Sequence, residues 1–180
     1  MTAARNAVLS SWLALRSAAW AVAMPGMVAF YLPWRYLGLR DAHVDASNPV
    51  HILACVCIAL GAALLVACIV EFARSGRGTL SPLDPPRRLV VRGLYRYVRN
   101  PMYLSVTIIV LGEALLTRSS ALFVYWMIFF GAANLFVIAS EEPFLRRRFG
   151  ASYDAYTRQV GRWIPTLRPR VDDGSEAAGV

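Results

Sequence analysis

The sequence predicts an all-α fold: a polytopic transmembrane helical bundle of four spans, with five as the alternative count, ending in a C-terminal cytoplasmic helical segment. Three observations carry that expectation. Hydrophobic residues make up 57% of the chain and charged residues only 17%, whereas a soluble domain carries about 25% charged residues. The apolar residues gather into runs long enough to cross a hydrocarbon core of about 30 Å. Between those runs the arginines gather in blocks, seven from Arg74 to Arg99 and seven from Glu141 to Arg170.

The first apolar region, Ala7 to Leu32, is interrupted by Arg16 and by Pro25-Gly26. Ala21-Val22-Ala23 resembles a signal-peptide cleavage site, but Arg16 splits the apolar stretch a signal needs intact. A retained span from about Ser17 to Pro33, kinked near Pro25, is the reading adopted. Trp12, Trp20, Tyr31, Trp34 and Tyr36 supply interfacial anchors. The second run, Val50 to Val70, has 21 residues and no charge, and Glu71 and Arg74 close it. The third, Met102 to Leu116, carries Glu113; the fourth, Ala121 to Ala139, contains Asn134 and ends at Glu141-Glu142. Only Thr117 to Ser120 separates these two, so they form a tight antiparallel hairpin. Three units follow: N-terminal helices over 1–75, a core over 76–170, and a small, acidic, disordered tail over 171–180.

All 19 basic residues are arginine, and 11 acids leave a net charge of +8. Arginines placed between apolar runs speak for topology and anionic headgroups rather than nucleic acid. With four spans, the positive-inside rule puts both termini, the middle loop and the tail in the cytoplasm. The absence of lysine suggests a GC-rich, bacterial source, hence a bacterial cytoplasmic membrane. Cys55, Cys57 and Cys68 lie in one apolar run and read as buried membrane cysteines, not as a metal site.

The informative segment is Gly93-Leu-Tyr-Arg-Tyr-Val-Arg-Asn-Pro-Met-Tyr103. Asn100 and Pro101 read as the N-cap and first residue of the third span. A helix start presents free N–H groups and partial positive charge, a place for a carboxylate or phosphate, and Arg99 adds a bidentate donor. A capped helix with headgroup-binding arginines explains the same residues. Glu141-Glu142 at the membrane boundary need a cation: either Arg146–Arg148 one turn on, or a ligand ammonium or sulfonium. Asn134 lies seven residues before Glu141 on nearly the same helical stripe, and at about the depth of Tyr103. Asn100, Tyr103, Asn134 and Glu141 are therefore expected to converge on one polar pocket. Glu113, near the other end of its span, is read as snorkelling or paired with Arg118.

Gly93, Tyr95, Arg99, Pro101 and Tyr103, then a helical hairpin, then Glu141, Glu142, Phe149, Gly150, Tyr153 and Tyr156 form an ordered pattern over residues 80–166. It resembles the isoprenylcysteine carboxyl methyltransferases and related phospholipid methyltransferases. The resemblance implies S-adenosylmethionine as cofactor, held by Arg87, Leu89, Val90, Tyr95, Arg99, Asn100, Pro101, Met102, Tyr103 and Glu141. Beside that resemblance, the convergence of polar groups at this end of the bundle makes Tyr103, Asn134 and Glu142 the catalytic candidates, and no metal is expected. Two positions depart from the family: Asn100 stands where a histidine is usual, and Val137 where eukaryotic members carry a substrate-associated arginine.

The implied reaction is in-line methyl transfer to an amphiphilic acceptor, a carboxylate of isoprenylcysteine type, with phospholipid amines and small thiols as alternatives. An ionised carboxylate needs position and desolvation rather than a base; His43 and His51 lie on the opposite membrane face. Expected partners are membrane lipids and an amphiphilic or lipidated small molecule, without nucleic acid or metal. Two readings of other classes are a nicotinamide-dependent membrane reductase and a non-catalytic lipid-binding membrane protein.

Overall fold

The computed structural model describes residues 23–75, 89 and 91–167, and every regular element among them is helical. The chain is helical from residue 23, runs through Pro25, widens into a π-turn over Met27–Tyr31 and continues as α1, Leu32–Tyr36. The irregularity expected at Pro25 thus falls beyond it. Its physical cause is Pro33, which offers no N–H and crowds the carbonyl of the preceding turn; a turn with i→i+5 bonds makes room. Residues 17–22 of the expected first span lie outside the described residues.

A 3₁₀ turn, Leu39–Asp41, leads to α2, Pro49–Ser75. Asn48 starts that helix by accepting a hydrogen bond from the Val50 N–H at 3.0 Å. Helix α3, Pro101–Thr117, and α4, Ser120–Phe136, form the expected hairpin. Arg118 makes the turn in the left-handed region (φ 50°), and the Ser119 hydroxyl caps α4 by accepting from Leu122 N–H at 3.4 Å. A second π-turn, Val137–Glu141, joins α4 to α5, Glu142–Phe149. It precedes Pro143 just as the first precedes Pro33, so one local cause explains both. Gly150, at φ 50°, then reverses the chain into α6, Ala151–Gln159.

Two helical stretches, Pro49–Glu71 and Ser120–Phe149, are long and apolar enough to cross a membrane. The rest of the chain covers only 22% and 17% of their apolar windows, so neither is the core helix of a soluble fold. Ile52, Leu53 and Val56 on α2 and Val124, Met127 and Ile128 on α4 are exposed, which a bilayer accommodates and water does not. This is an all-α membrane protein.

Helix α3 is shorter, 17 residues or about 25 Å, and is the buried member: Ser105, Val106, Ile109, Val110 and Ala114 are all buried. It meets α2 at two reciprocal glycine contacts. A Cβ on Gly61 would stand 2.7 Å from Ile109 Cγ1 and 2.8 Å from the Ser105 carbonyl oxygen. A Cβ on Gly112 would stand 2.7 Å from Ile58 Cγ1 and 2.8 Å from the Ala54 carbonyl oxygen. In lipid, where apolar burial adds little between helices, such close backbone approach carries the packing. Ala29, Leu65, Val106, Ile109 and Val110 complete the core, with Tyr125, Trp126 and Phe129 against it.

Glu113 corrects the sequence reading. It is 1% exposed, its Oε2 has no hydrogen-bond partner, and Arg118 forms no ion pair with it. Arg118 lies five residues on, outside the i,i+3 and i,i+4 spacings that share a helix face, and its left-handed backbone stands past the end of α3.

Candidate functional site

The site is built at the end of the bundle where α2 stops, α3 starts and α4 passes into α5. Gly93 opens the 3₁₀ turn Gly93–Arg96 at φ 53°, and a Cβ there would lie 3.1 Å from Glu71 Oε2. Glycine therefore lets the turn seat against the end of α2 without strain. The turn delivers Tyr95, whose carbonyl accepts a hydrogen bond from the Tyr156 hydroxyl at 2.7 Å. Burial, and then the nearby Cys68, Glu141, Tyr156 and Tyr103, hold the Tyr95 hydroxyl well above the ordinary tyrosine range. Tyr95 is thus a neutral phenol gathered with Glu141 and Tyr103.

Glu142 is the electrostatic hub. Arg162 donates Nε to its Oε1 at 2.6 Å and Nη2 to its Oε2 at 3.0 Å, while Arg99 donates Nη1 to Oε1 at 2.9 Å. The Glu142 side chain is only 11% exposed. Burial alone would push its carboxyl up, but the Arg162 hydrogen bonds and the charges of Arg99, Arg162 and Arg146 outweigh it and hold the group below the usual carboxylate range. A carboxylate so engaged is a fixed anion with both oxygens committed. The pairing with Arg146–Arg148 weighed from sequence does not form among the described residues, for a helical reason. Glu142, Leu145 and Phe149 share the inner stripe of α5, and Arg147 and Arg148 point away from it. Arg146 instead holds Asp154 at 2.8 Å.

Residues 160–167 strap this hub from above. Gly161 forms a parallel bridge with Val98, its carbonyl accepting from Arg99 N–H at 2.9 Å, and Thr166 N–H donates to the Tyr97 carbonyl at 2.8 Å. Asn100 is buried and caps α3 by backbone position only. Its side chain, expected as a cap, donates Nδ2 to the Arg162 carbonyl at 3.3 Å, which leaves the first-turn amides of α3 without a side-chain partner. Pro101 follows at the first helical position, as its fixed φ favours.

Arg99, Asn100, Val137, Glu141, Glu142, Leu145, Tyr153 and Tyr156 line a narrow cleft. Of the residues expected to converge, Asn100 and Glu141 do so, and Tyr103 lies close enough to Glu141 to feel its charge. Asn134 is not part of the lining. Its Oδ1 accepts from the Trp163 indole Nε1 at 2.9 Å, and that ring packs on Phe130. The π-turn between them is the reason: one extra residue in the turn rotates Glu141 away from the Asn134 stripe by roughly 100°. Glu141 itself makes no ion pair among the described residues; burial first and Glu142 second hold its carboxyl above the usual range.

The remaining expected cofactor residues divide. Met102 packs against the core cluster, and Leu89 joins the Val91, Tyr153, Tyr156 and Val160 cluster that floors the strap. Arg87 and Val90 lie outside the described residues. Sequence reasoning gave no site role to Arg162, Trp163 or Tyr153, the last of which meets Arg99 at 3.4 Å. The only signal for Arg162 was arithmetic: two adjacent acids at a membrane boundary need more than one cation.

A family model described as Phospholipid methyltransferase matches residues 49–152, from the start of α2 into α6. An uncharacterized protein of Haemophilus influenzae is 38% identical over 63 residues, which are 35% of this chain and the whole of that protein. No solved structure matches the chain.

Proposed function

This chain belongs to the phospholipid methyltransferase family, and from that premise we propose that it methylates the amine headgroup of an amphiphile, using S-adenosylmethionine, at the cytoplasmic face of a bacterial membrane. The cofactor's fit rests on two features of the cleft. The uncapped start of α3 after Asn100 suits its carboxylate, and Glu141, a carboxylate without an ion pair among the described residues, suits its cationic groups. Tyr95 and Tyr103 would flank it. When bound, the cofactor supplies an electrophilic methyl group on a sulfonium.

One observation carries the choice of acceptor: Arg99, the guanidinium lining the cleft, and Arg162 behind it both serve Glu142, while Glu141 is the anion left over. With Val137 in place of an arginine, such a cleft favours an amine over the isoprenylcysteine carboxylate that the motif resemblance suggests. An ammonium acceptor must lose a proton before it attacks. Glu141 is the residue to accept it, because its raised pKa brings it nearer the working pH than an ordinary carboxylate. Glu142, saturated by two arginines, is a positioning residue in this scheme, and Asn134 acts through Trp163 on the strap. Tyr103 keeps a place beside Glu141 as a hydrogen-bond donor toward the reacting groups.

The test is methyl transfer by the purified, reconstituted protein from radiolabelled S-adenosylmethionine to phosphatidylethanolamine or to a farnesylcysteine analogue. Label should enter the amine lipid and be lost in Glu141→Ala. Label entering only the farnesylcysteine carboxyl group would overturn the acceptor, and failure of S-adenosylhomocysteine to bind the folded protein would overturn the cofactor.

A further inference from the structure

The outer face of α5 carries charge for which the site has no use. Its inner stripe is fully engaged: Glu142 takes Arg99 and Arg162, and Leu145 and Phe149 pack against the Tyr153–Tyr156 cluster. The outer stripe is Phe144, Arg147 and Arg148, at the i, i+3, i+4 spacing that shares one helix face, and all three are exposed. The acids nearby are already occupied. Asp154 holds Arg146 at 2.8 Å and Glu142 holds two arginines, so Arg147 and Arg148 form no ion pair among the described residues.

Depth gives this face its surroundings. Ser120 to Phe149 is one continuous helical stretch of 30 residues, about 45 Å long at 1.5 Å per residue. The hydrocarbon core is about 30 Å thick. With Ser120 at one boundary, roughly the last ten residues clear the opposite one, pass through the headgroup layer of about 5–8 Å and end just beyond it. Phe144 enters that layer first, and Arg147 and Arg148 follow within one turn. Arginine side chains there, long and tilted toward the helix N-terminus, reach back to lipid phosphates, which they bind bidentately, and Phe144 lies at headgroup depth.

We propose that the Phe144–Arg147–Arg148 face of α5 is a docking surface for anionic phospholipid headgroups of the leaflet into which it emerges. The proposal goes beyond the methyl-transfer reading and does not depend on it. Electrostatic attraction of juxtamembrane arginines to an anionic leaflet supplies the affinity. Since the other face of the same helix carries Glu142, a bound lipid also holds the hub from outside.

Lipid retention tests it. The full chain, purified in uncharged detergent, is exposed to an equimolar mixture of phosphatidylglycerol and phosphatidylcholine with matched acyl chains, and native mass spectrometry counts the lipids kept. The wild-type protein should prefer phosphatidylglycerol, and R147Q/R148Q should reduce that preference on the order of tenfold. Both side chains are exposed, and an unchanged melting curve checks that the variant folds. Arg118→Gln, at the opposite end of the bundle, should keep the preference. Equal retention of the two lipids by the wild-type protein overturns the proposal, as does a preference kept in folded R147Q/R148Q or lost equally in Arg118→Gln. Displacement of the retained lipid by inorganic phosphate would make the partner a soluble anion and also overturn it.

Discussion

Arg162 and Glu142 stand 20 residues apart in the chain and meet through two hydrogen bonds of 2.6 and 3.0 Å. The contact joins the strap after α6 to the first residue of α5, and Arg99 closes it from a third direction. Three separate stretches of sequence thereby share one carboxylate.

Glu142→Gln keeps the shape and removes the charge, leaving two guanidiniums facing an amide. Breaking a buried ion pair from one side costs about 3–5 kcal/mol, and the 31% exposure of the Arg162 side chain reduces this to about 2–3 kcal/mol. Thermal melting in detergent should register the loss; an unchanged midpoint would show that the hub adds nothing.

Acid should act through the same residue. Because the native pKa of Glu142 is lowered, its stabilisation is complete above the ordinary carboxylate value of about 4.3 and disappears as pH falls through the lowered native value. The wild-type protein should lose stability over that acid range, and Glu142→Gln should lack this part of the profile. Parallel profiles for the two proteins would contradict the assignment.

Glu141 has the opposite sign. Its native pKa is raised, so the native state loses stability as pH climbs from the ordinary value to the raised one. At neutral pH Glu141→Gln should be more stable than the wild-type protein, while its affinity for S-adenosylhomocysteine, measured calorimetrically, falls about tenfold. A variant that is both less stable and equally tight would refute this reading.

Gly61→Ala and Gly112→Ala should each lower the melting temperature, because each Cβ meets a backbone carbonyl at 2.8 Å. Moving α2 away from α3 relieves both clashes at once, so the double variant should lose clearly less than the sum. Additive losses would mean that the helices adjust locally rather than as a pair.

Asn134→Ala removes the acceptor for the Trp163 indole and should cost about 1 kcal/mol. The strap should loosen, seen as faster tryptic cleavage after Arg162 and a shift in tryptophan emission. Cleavage at the wild-type rate would place the strap's stability elsewhere.

The helices were legible because lipid makes their sequence extreme: Val50 to Val70 of α2 is a chargeless run, and only four residues part the apolar runs of α3 and α4. The helix start at Asn100-Pro101 was legible because proline favours the first helical position and an apolar run follows it. Less was legible where a side chain had several partners to choose from. Asn100 turned to a carbonyl 62 residues away, and Glu142 took arginines 43 and 20 residues away in preference to those on its own helix. No local spacing encodes such choices. The Asn134–Glu141 stripe failed for a different reason: an α-helical wheel assumes a constant pitch, and Pro143 forces a wider turn within it.

The strap has a consequence for how the protein comes into being. The membrane helices among the described residues are all synthesised before Arg162, Trp163 and Thr166, so the nascent chain can insert and pair these spans while the Glu142 hub still lacks one of its two cations. Competence therefore arrives last, as a latch thrown after the frame is standing. A ribosome that stops short of residue 162 would leave a product with its helices in the bilayer and its cleft unlatched.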